Sequence, residues 1–183
     1  MKDSETADDS TWFLQVFSKF EGPLLRYAFS LTRNMDQARD VVQETFLRLW
    51  KVKRSKVEPR VLAWLFTVCR NRIVDVYRKE KRMETQSQEE LDKAEDSMPE
   101  TSKDSEQNER SRKVWQVLRL LPQNQQEIVR LKFQNDLSYR EIAEITGLSV
   151  SNVGVLLHYA LLKLREHFKE VKGNEKKVSG RVS

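Results

Sequence analysis

The chain has 183 residues with only 5 Gly and 4 Pro, too few for an all-β protein built on many tight turns. Its single cysteine excludes an internal disulfide framework, and its two histidines have no cysteine partners at metal-ligand spacing. The net charge of +5 is uneven, because two basic blocks at residues 21–83 and 110–172 flank an acidic block at 84–109.

The two basic blocks suit a partner rich in phosphate, although a pair of solvated charged surfaces would show the same distribution. The acidic block has almost no large apolar residues beyond Leu91 and Met98, so it cannot bury enough surface to offset its ordering entropy. We therefore expect a flexible acidic linker at 84–109 between domains at 10–83 and 110–172. No apolar run approaches the ~18 residues of a membrane span, and the acidic start has no signal-peptide core, so a cytoplasmic protein without membrane insertion is expected.

Apolar residues recur at spacings of three and four through the first domain, which predicts a series of helices. The first apolar stripe begins at Trp12, and Pro23 is expected to open a second helix. Asn34 predicts the start of a third helix, which extends to about Trp50. Residues 51–59 are expected to form a basic loop, and a long fourth helix follows it to the end of the domain.

The second domain shows the pattern of a helix-turn-helix. The sequence Ser138-Tyr139-Arg140-Glu141 is a capping box that predicts the start of a short helix. Gly147 is expected to end that helix in the left-handed conformation, and Ser149 is expected to cap a last helix that runs to about Val171. The small side chain of Ala143 would let the two helices approach closely. An ordinary helix pair in a bundle is the alternative.

Two sets of motifs stand in order along the chain. The first domain contains Asp36-Gln37-Ala38-Arg39-Asp40-Val41-Val42-Gln43-Glu44-Thr45-Phe46, then Trp64-Leu65-Phe66, then Arg70-Asn71 with Asp75 and Arg78. The second domain contains Leu121-Pro122, Ser138-Tyr139-Arg140-Glu141-Ile142-Ala143 and Leu148-Ser149. These sets resemble domains two and four of the sigma-70 family, and nothing in the chain resembles the intervening domain three. The pattern is similar to the extracytoplasmic-function (ECF) group, the minimal sigma factors.

The resemblance implies an all-α protein of two small helical domains, one like sigma domain two and one like the helix-turn-helix of sigma domain four. It also implies binding to core RNA polymerase, with the third helix docked on the β′ clamp helices through Asp40, Gln43, Glu44, Leu47, Arg48 and Trp50. A helix that faces both its own core and a partner should mix carboxylates with exposed large apolar groups, as Leu47 and Trp50 do. For Trp50, a place against the domain core is the alternative.

The basic loop and the fourth helix would face the minus-ten promoter element, as the resemblance implies, through Lys53, Arg54, Lys56, Arg60, Arg70, Asn71, Asp75 and Arg78. Asn71 matches a position in the pocket with which family members hold a base flipped out of the non-template strand. Asp75 could instead pair with Arg72 or Arg78 along the helix. Family loops often offer an aromatic side chain to that base, whereas this loop contains none, so the way the base is held stays open.

The last helix would read the minus-thirty-five element, with Ser149, Ser151, Asn152 and Val155 at the base edges. Arg140 and His158 would contact nearby phosphates. Relatives commonly have Thr-Val-Lys-Ser-Arg where this chain has Asn152-Val153-Gly154-Val155-Leu156, so the usual Lys and Arg contacts are missing. Val155 could touch a thymine methyl group. Leu156 and Tyr159 are either core residues or a surface for a protein partner.

The expected partners are promoter DNA and core RNA polymerase, at its β′ clamp helices and β flap, and the free protein is expected to be a monomer. The resemblance leaves open a membrane-associated anti-sigma factor as a further partner. A stand-alone helix-turn-helix regulator, which would be a homodimer on a palindromic site, is the alternative. An enzyme finds no support, because the sequence has no phosphate-binding Gly loop, no catalytic dyad at recognisable spacing and no metal cluster. No cofactor or metal is expected.

Overall fold

Helices make up the computed structural model of the chain, which describes residues 2–84 and 117–179, with side chains described at 8–82 and 117–169. The first four helices are α1 (Lys2–Thr32), α2 (Met35–Lys51), α3 (Arg54–Val57) and α4 (Val61–Glu84), with a 3-10 turn at Glu58–Arg60 before α4. The next three are α5 (Gln123–Gln134), α6 (Tyr139–Thr146) and α7 (Val150–Ser179). The described residues contain no strand, which confirms the predicted all-α fold class.

Two compact units contain these elements: α1 to α4 lie in the first, and α5, the start of α6 and α7 lie in the second. The predicted domain boundaries at 10–83 and 110–172 stay predictions, and the linker predicted at 84–109 lies outside the described residues apart from Glu84. No single described helix is long and apolar enough to cross a membrane. By length and composition alone, α6 and the first part of α7 pass that test as a pair, although a bend of 103° separates them.

The core of the first unit lies where α1, α2 and α4 pack against one another. The rings of Tyr27 and Phe66 meet edge-on inside it, with their centres 4.9 Å apart. Cys69 is fully buried in this core, as the apolar positions around it predict. Burial raises the pKa of the Cys69 thiol to about 12, and a hydrogen bond with Thr45 acts in the opposite direction. The thiol therefore stays protonated, and it packs as a small apolar side chain.

Pro23 does not open a second helix, because α1 runs unbroken through it, so this prediction is wrong. A proline inside a helix cannot donate a hydrogen bond to the carbonyl four residues earlier, here that of Lys19. Lys19 is exposed, so water can satisfy its carbonyl. Leu24 and Ala28, which follow the proline, are fully buried. Their packing stabilises α1 at the point where this hydrogen bond is missing.

α2 begins where the sequence predicts. Asn34 Oδ1 accepts a hydrogen bond of 3.0 Å from the N–H of Gln37, which is the predicted N-cap. Arg33 ends α1 with a φ of 55°, and its N–H donates to the carbonyl of Phe29 at 2.9 Å. A non-glycine residue in this region costs roughly 1–2 kcal/mol. The extensive packing of α1 along α2 offsets that strain.

The segment predicted as a basic loop at 51–59 contains short helical turns. α3 and the 3-10 turn occupy most of it. Val57 is buried and anchors the segment, while the lysine side chains around it are exposed. A single buried valine among cations gives no helical periodicity, which is why the sequence predicted a loop here.

The helix-turn-helix predicted after Ser138 is present. In the predicted capping box, the Ser138 N–H donates to the Glu141 carboxylate at 2.8 Å, and the Glu141 N–H donates to the Ser138 hydroxyl at 3.3 Å. Gly147 has a φ of +74°, and its N–H donates to the carbonyl of Ala143 at 2.9 Å. Glycine adopts this left-handed conformation without strain, so the prediction that Gly147 ends α6 is confirmed.

α7 also begins as predicted, but it ends later. The hydroxyl of Ser149 accepts a hydrogen bond of 3.2 Å from the N–H of Asn152 and so caps the helix. The helix extends to Ser179, beyond the predicted end near Val171. It packs on α5, and the apolar side chains buried around α5, α6 and α7 include Ile128, Leu131, Leu137, Ile142, Val153, Leu157 and Ala160.

The continuity of α1 predicts that Pro23→Ala will stabilise the first unit. The alanine N–H can donate to the Lys19 carbonyl, so the free energy of unfolding should rise by about 1–3 kcal/mol in denaturant titrations followed by tryptophan fluorescence. Gly22→Ala is the control, because it improves helix propensity by only about 1 kcal/mol and adds no hydrogen bond. A loss of stability in Pro23→Ala would instead fit a helix that starts at Pro23.

Candidate polymerase and nucleic-acid interfaces

The six residues predicted to contact polymerase lie along the outer side of α2. Leu47 is 54% exposed and Trp50 is 60% exposed, so neither belongs to the core. Asp40, Gln43 and Arg48 are also exposed. Their spacing of three and four residues places them on one side of the helix. Two large apolar groups are thus open to solvent between charged and polar groups, which is the composition of a partner-binding surface.

Glu44, the sixth residue, is held by two cations. Arg48 donates to its carboxylate at 2.8 Å on the same helix, and Arg72 of α4 pairs with its other oxygen. Arg72 thus has a carboxylate partner on α2, whereas the sequence also allowed it to pair with Asp75 along α4. The ion pair between Arg72 of α4 and Glu44 of α2 orients part of the outer surface of α2.

An apolar groove runs between α1 and α2 beside these residues. Its volume is about 700 Å³, and its lining is mostly apolar: Phe13, Phe17, Leu25, Val42, Phe46, Leu47 and Trp50. The Trp50 ring packs edge-on against Phe13, with the ring centres 5.0 Å apart. Trp50 therefore lines one side of this groove, remains exposed to solvent, and packs against the ring of Phe13.

The sequence did not identify the part of this groove that α1 contributes. Phe13 and Phe17 belong to the first apolar stripe, which begins at Trp12, and both are only half-buried. A signal was present, since four aromatic residues within nine positions of α1 offer more apolar surface than one helix face of a small core can cover.

Four of the cations near α3 are exposed: Lys51, Lys53, Lys56 and Arg60. Arg54 is instead half-buried, and its guanidinium donates to Asp8 at 2.6 Å and to Glu58 at 2.7 Å. It also lies 5.5 Å from the ring centre of Trp12, within range of a cation–π contact. The hydrogen bond to Glu58 is the main reason that the pKa of Arg54 is raised above its ordinary value. Arg54 thus ties the start of α1 to the segment that carries the other cations.

On α4, Asn71, Asp75 and Arg78 are exposed at a spacing of four and three residues, so they lie on one side of the helix. Arg70 is half-buried and has a polar partner. Trp64 is also half-buried. The Tyr77 hydroxyl donates to the carbonyl of Leu31 at 2.8 Å. Partial burial and the nearby Glu80 raise the pKa of this phenol.

In the second unit, the residues predicted to meet the minus-thirty-five element are all exposed: Arg140, Ser149, Ser151, Asn152, Val155 and His158. All but Arg140 lie at the start of α7. The two residues left open divide, since Leu156 is half-buried whereas Tyr159 is 54% exposed. Among the described side chains, no group of three or more His, Cys, Asp or Glu residues could hold a metal ion.

Comparison with known proteins accounts for both units. Residues 16–83 match the family model for Sigma-70 region 2, and residues 111–164 match that for Sigma-70, region 4. The RNA polymerase sigma factor YlaC of Bacillus subtilis is 28% identical over 168 residues, covering 88% of this chain and 94% of its own. The ECF RNA polymerase sigma factor EcfG of Rhodopseudomonas palustris is 34% identical over 148 residues, covering 78% and 77%.

A solved structure has the same fold. It is the sigma factor RpoE from Bartonella quintana, in complex with the anti-sigma factor NepR. The similarity covers 86% of this chain and 96% of that one, with a TM-score of 0.68 and 26% sequence identity. The family matches, the relatives and the helical architecture agree, so the chain belongs to the ECF group of the sigma-70 family of RNA polymerase sigma factors.

Proposed function

We propose that this chain is a minimal sigma factor that binds core RNA polymerase and directs promoter recognition, promoter melting and transcription initiation. The observation that carries this proposal is that sigma-70 regions 2 and 4 follow each other in order along the chain. The chain acts as a binding and strand-opening component in the cytoplasm, and it catalyses no bond chemistry of its own. A stand-alone regulator is the second candidate on the helix-turn-helix alone, but it does not account for the region 2 match.

Core polymerase binds along the outer side of α2 and in the groove beside it. Leu47 and Trp50 are the apolar anchors, because they are large, exposed and set among polar groups. The groove between α1 and α2 can take an apolar side chain of a partner helix, and Gln43 adds a polar group to its lining. Asp40 is exposed on the outer side of α2. Glu44 and Arg48 are already paired with each other, so they orient the surface of α2 more than they offer a free charge to polymerase.

Promoter DNA at the minus-ten element binds to the segment around α3 and to the outer side of α4. Lys53, Lys56 and Arg60 neutralise phosphates, since their side chains are exposed. Arg54 holds this segment in place, because its guanidinium is engaged by Asp8 and Glu58. On α4, Asn71 reads the flipped base, flanked by Arg70, Asp75 and Arg78.

The second unit contacts the minus-thirty-five element with the start of α7 and the β flap of polymerase with other parts of its surface. An anti-sigma factor is a further partner in this proposal, since a similar sigma factor has been solved in complex with one. The free chain is a monomer in this scheme, which separates it from a dimeric regulator.

Leu47→Asp should weaken binding to core polymerase at least tenfold, because a charge replaces an apolar anchor that loses contact with water on binding. Titration of the labelled full chain with core polymerase measures the affinity. Leu14→Asp is the matched control, since Leu14 is 64% exposed on α1 and does not line the groove. Equal losses in the two variants would contradict the assigned surface, and absence of any complex between the wild-type chain and core would contradict the proposed function.

Asn71→Ala should slow or reduce open-complex formation while leaving core binding unchanged. Asn71 is exposed, so the fold should not depend on it, and the lost amide removes hydrogen bonds to a base edge. Permanganate reactivity of unpaired thymines measures opening, and Gln15→Ala, which removes another exposed amide, serves as the control. Equal losses of core binding and of opening in Asn71→Ala would mean that the residue is structural.

Lys53→Ala and Arg54→Ala should have different effects, the first on the salt dependence of promoter binding and the second on stability. Lys53→Ala should lower the slope of log affinity against log salt for promoter binding by about 0.7–0.9, the value for one phosphate contact. Arg54→Ala should keep that slope but destabilise the first unit in denaturant titrations, because it releases Asp8, Glu58 and the Trp12 ring. A reduced salt slope in Arg54→Ala with unchanged stability would show that Arg54 binds phosphate.

A further inference from the structure

The exposed side of α7 near the turn carries no cation. Val153 and Leu157 are buried, so the opposite side of the helix presents Ser151 and Val155 to solvent, and Val155 is 51% exposed. The first Lys or Arg of the helix is Lys163, twelve residues after Ser151. At a rise of 1.5 Å per residue, that cation lies about 18 Å further along the helix axis.

The ring of Tyr139 packs against α7 at Gly154. A Cβ at Gly154 would lie 3.6 Å from Cε2 of the Tyr139 ring, so the ring already packs against the helix backbone there. Tyr139 remains partly exposed beside Val150, which is 48% exposed. An aromatic ring and aliphatic side chains thus take the place of charge along this side of α7.

The chemistry of this surface is selective among base pairs. In the major groove, Arg or Lys reads guanine through O6 and N7, Asn or Gln reads adenine through N6 and N7, and apolar groups contact the thymine methyl group. Asn152 and Val155 at the start of α7 offer the last two kinds, with an exposed amide and exposed methyl groups. The exposed hydroxyls of Ser149 and Ser151 do not discriminate between base pairs in this way. Lys163 lies too far along for a helix that enters the groove by its first residues, since the groove is only about 8.5 Å deep.

We propose that α7 reads a minus-thirty-five element of A·T pairs, with Val155 against a thymine methyl group and Asn152 on an adenine. This inference rests on the proposed function, because it takes α7 to be the helix that enters the major groove of the promoter. Val155 is the specificity-determining residue, and the Tyr139 ring beside Gly154 completes the apolar surface around it.

The test uses holoenzyme reconstituted from the full chain and core polymerase. Selection from duplexes randomised upstream of a fixed minus-ten region should yield A·T pairs at the positions that α7 protects. Each selected thymine is then replaced with deoxyuridine, which removes only the methyl group. At one position the affinity should fall about fourfold, the loss expected for one buried methyl-sized group.

The same replacement should have no effect on holoenzyme carrying Val155→Ala. Asn152→Ala is the matched control, because it should relax the choice of adenine at a neighbouring position while keeping the deoxyuridine effect. The inference is overturned if the selected element contains fixed G·C pairs, if deoxyuridine has no effect on the wild type, or if the effect persists undiminished in Val155→Ala. Failure of the wild-type chain to bind core, or to select any promoter, would overturn the proposed function instead.

Discussion

α1 packs along α2 and against α4, and its passage through Pro23 as one continuous helix determines where its aromatic side chains fall. After the proline, Leu24 and Ala28 are fully buried between the other helices. Before it, the neighbouring helices cover Phe13 and Phe17 only in part, and the groove results from this incomplete coverage. Because the two ends of α1 are rigidly joined, the packing of one end fixes the exposure of the other. The outer surface of the first unit therefore follows from its core.

The cations near α3 have different roles although they look alike in the sequence. Arg54 is held by carboxylates and a ring, whereas Lys53 and Lys56 extend into solvent. The planar guanidinium can form several directed bonds at once, which suits a fixed link, and the flexible ammonium of lysine suits phosphate neutralisation. In the second unit the surface is different, because no Lys or Arg precedes Lys163 on α7 and the exposed side chains at its start are mostly uncharged.

Local features could be predicted from the sequence, and features set by packing could not. The caps at Asn34 and Ser138 and the left-handed Gly147 depend on residues within about four positions, so their patterns are readable along the chain. The continuity of α1 through Pro23 depends on what α2 and α4 bury, which no local pattern reports. The link from Arg54 to Asp8 joins residues 46 positions apart, and sequence order gives no sign of it.

The sequence likewise predicted one part of the candidate site and not the other. The side of α2 that includes Leu47 and the exposed start of α7 follow from helical spacing, because burial alternates with the helix period. The groove required the three-dimensional arrangement, since its volume depends on how far apart two helices lie at one end. The position of Tyr139 against Gly154 likewise depends on the crossing of two helices.

The burial of Cys69 has a consequence for how signals reach this factor. Oxidants and electrophiles react with thiolates, and they do so most readily where the sulfur is exposed. The only sulfur nucleophile in this sequence is enclosed by apolar side chains and remains protonated. The folded chain thus offers no exposed thiolate to disulfide exchange. A signal that acts through thiol chemistry therefore has to be sensed by another molecule and passed on as a change in binding.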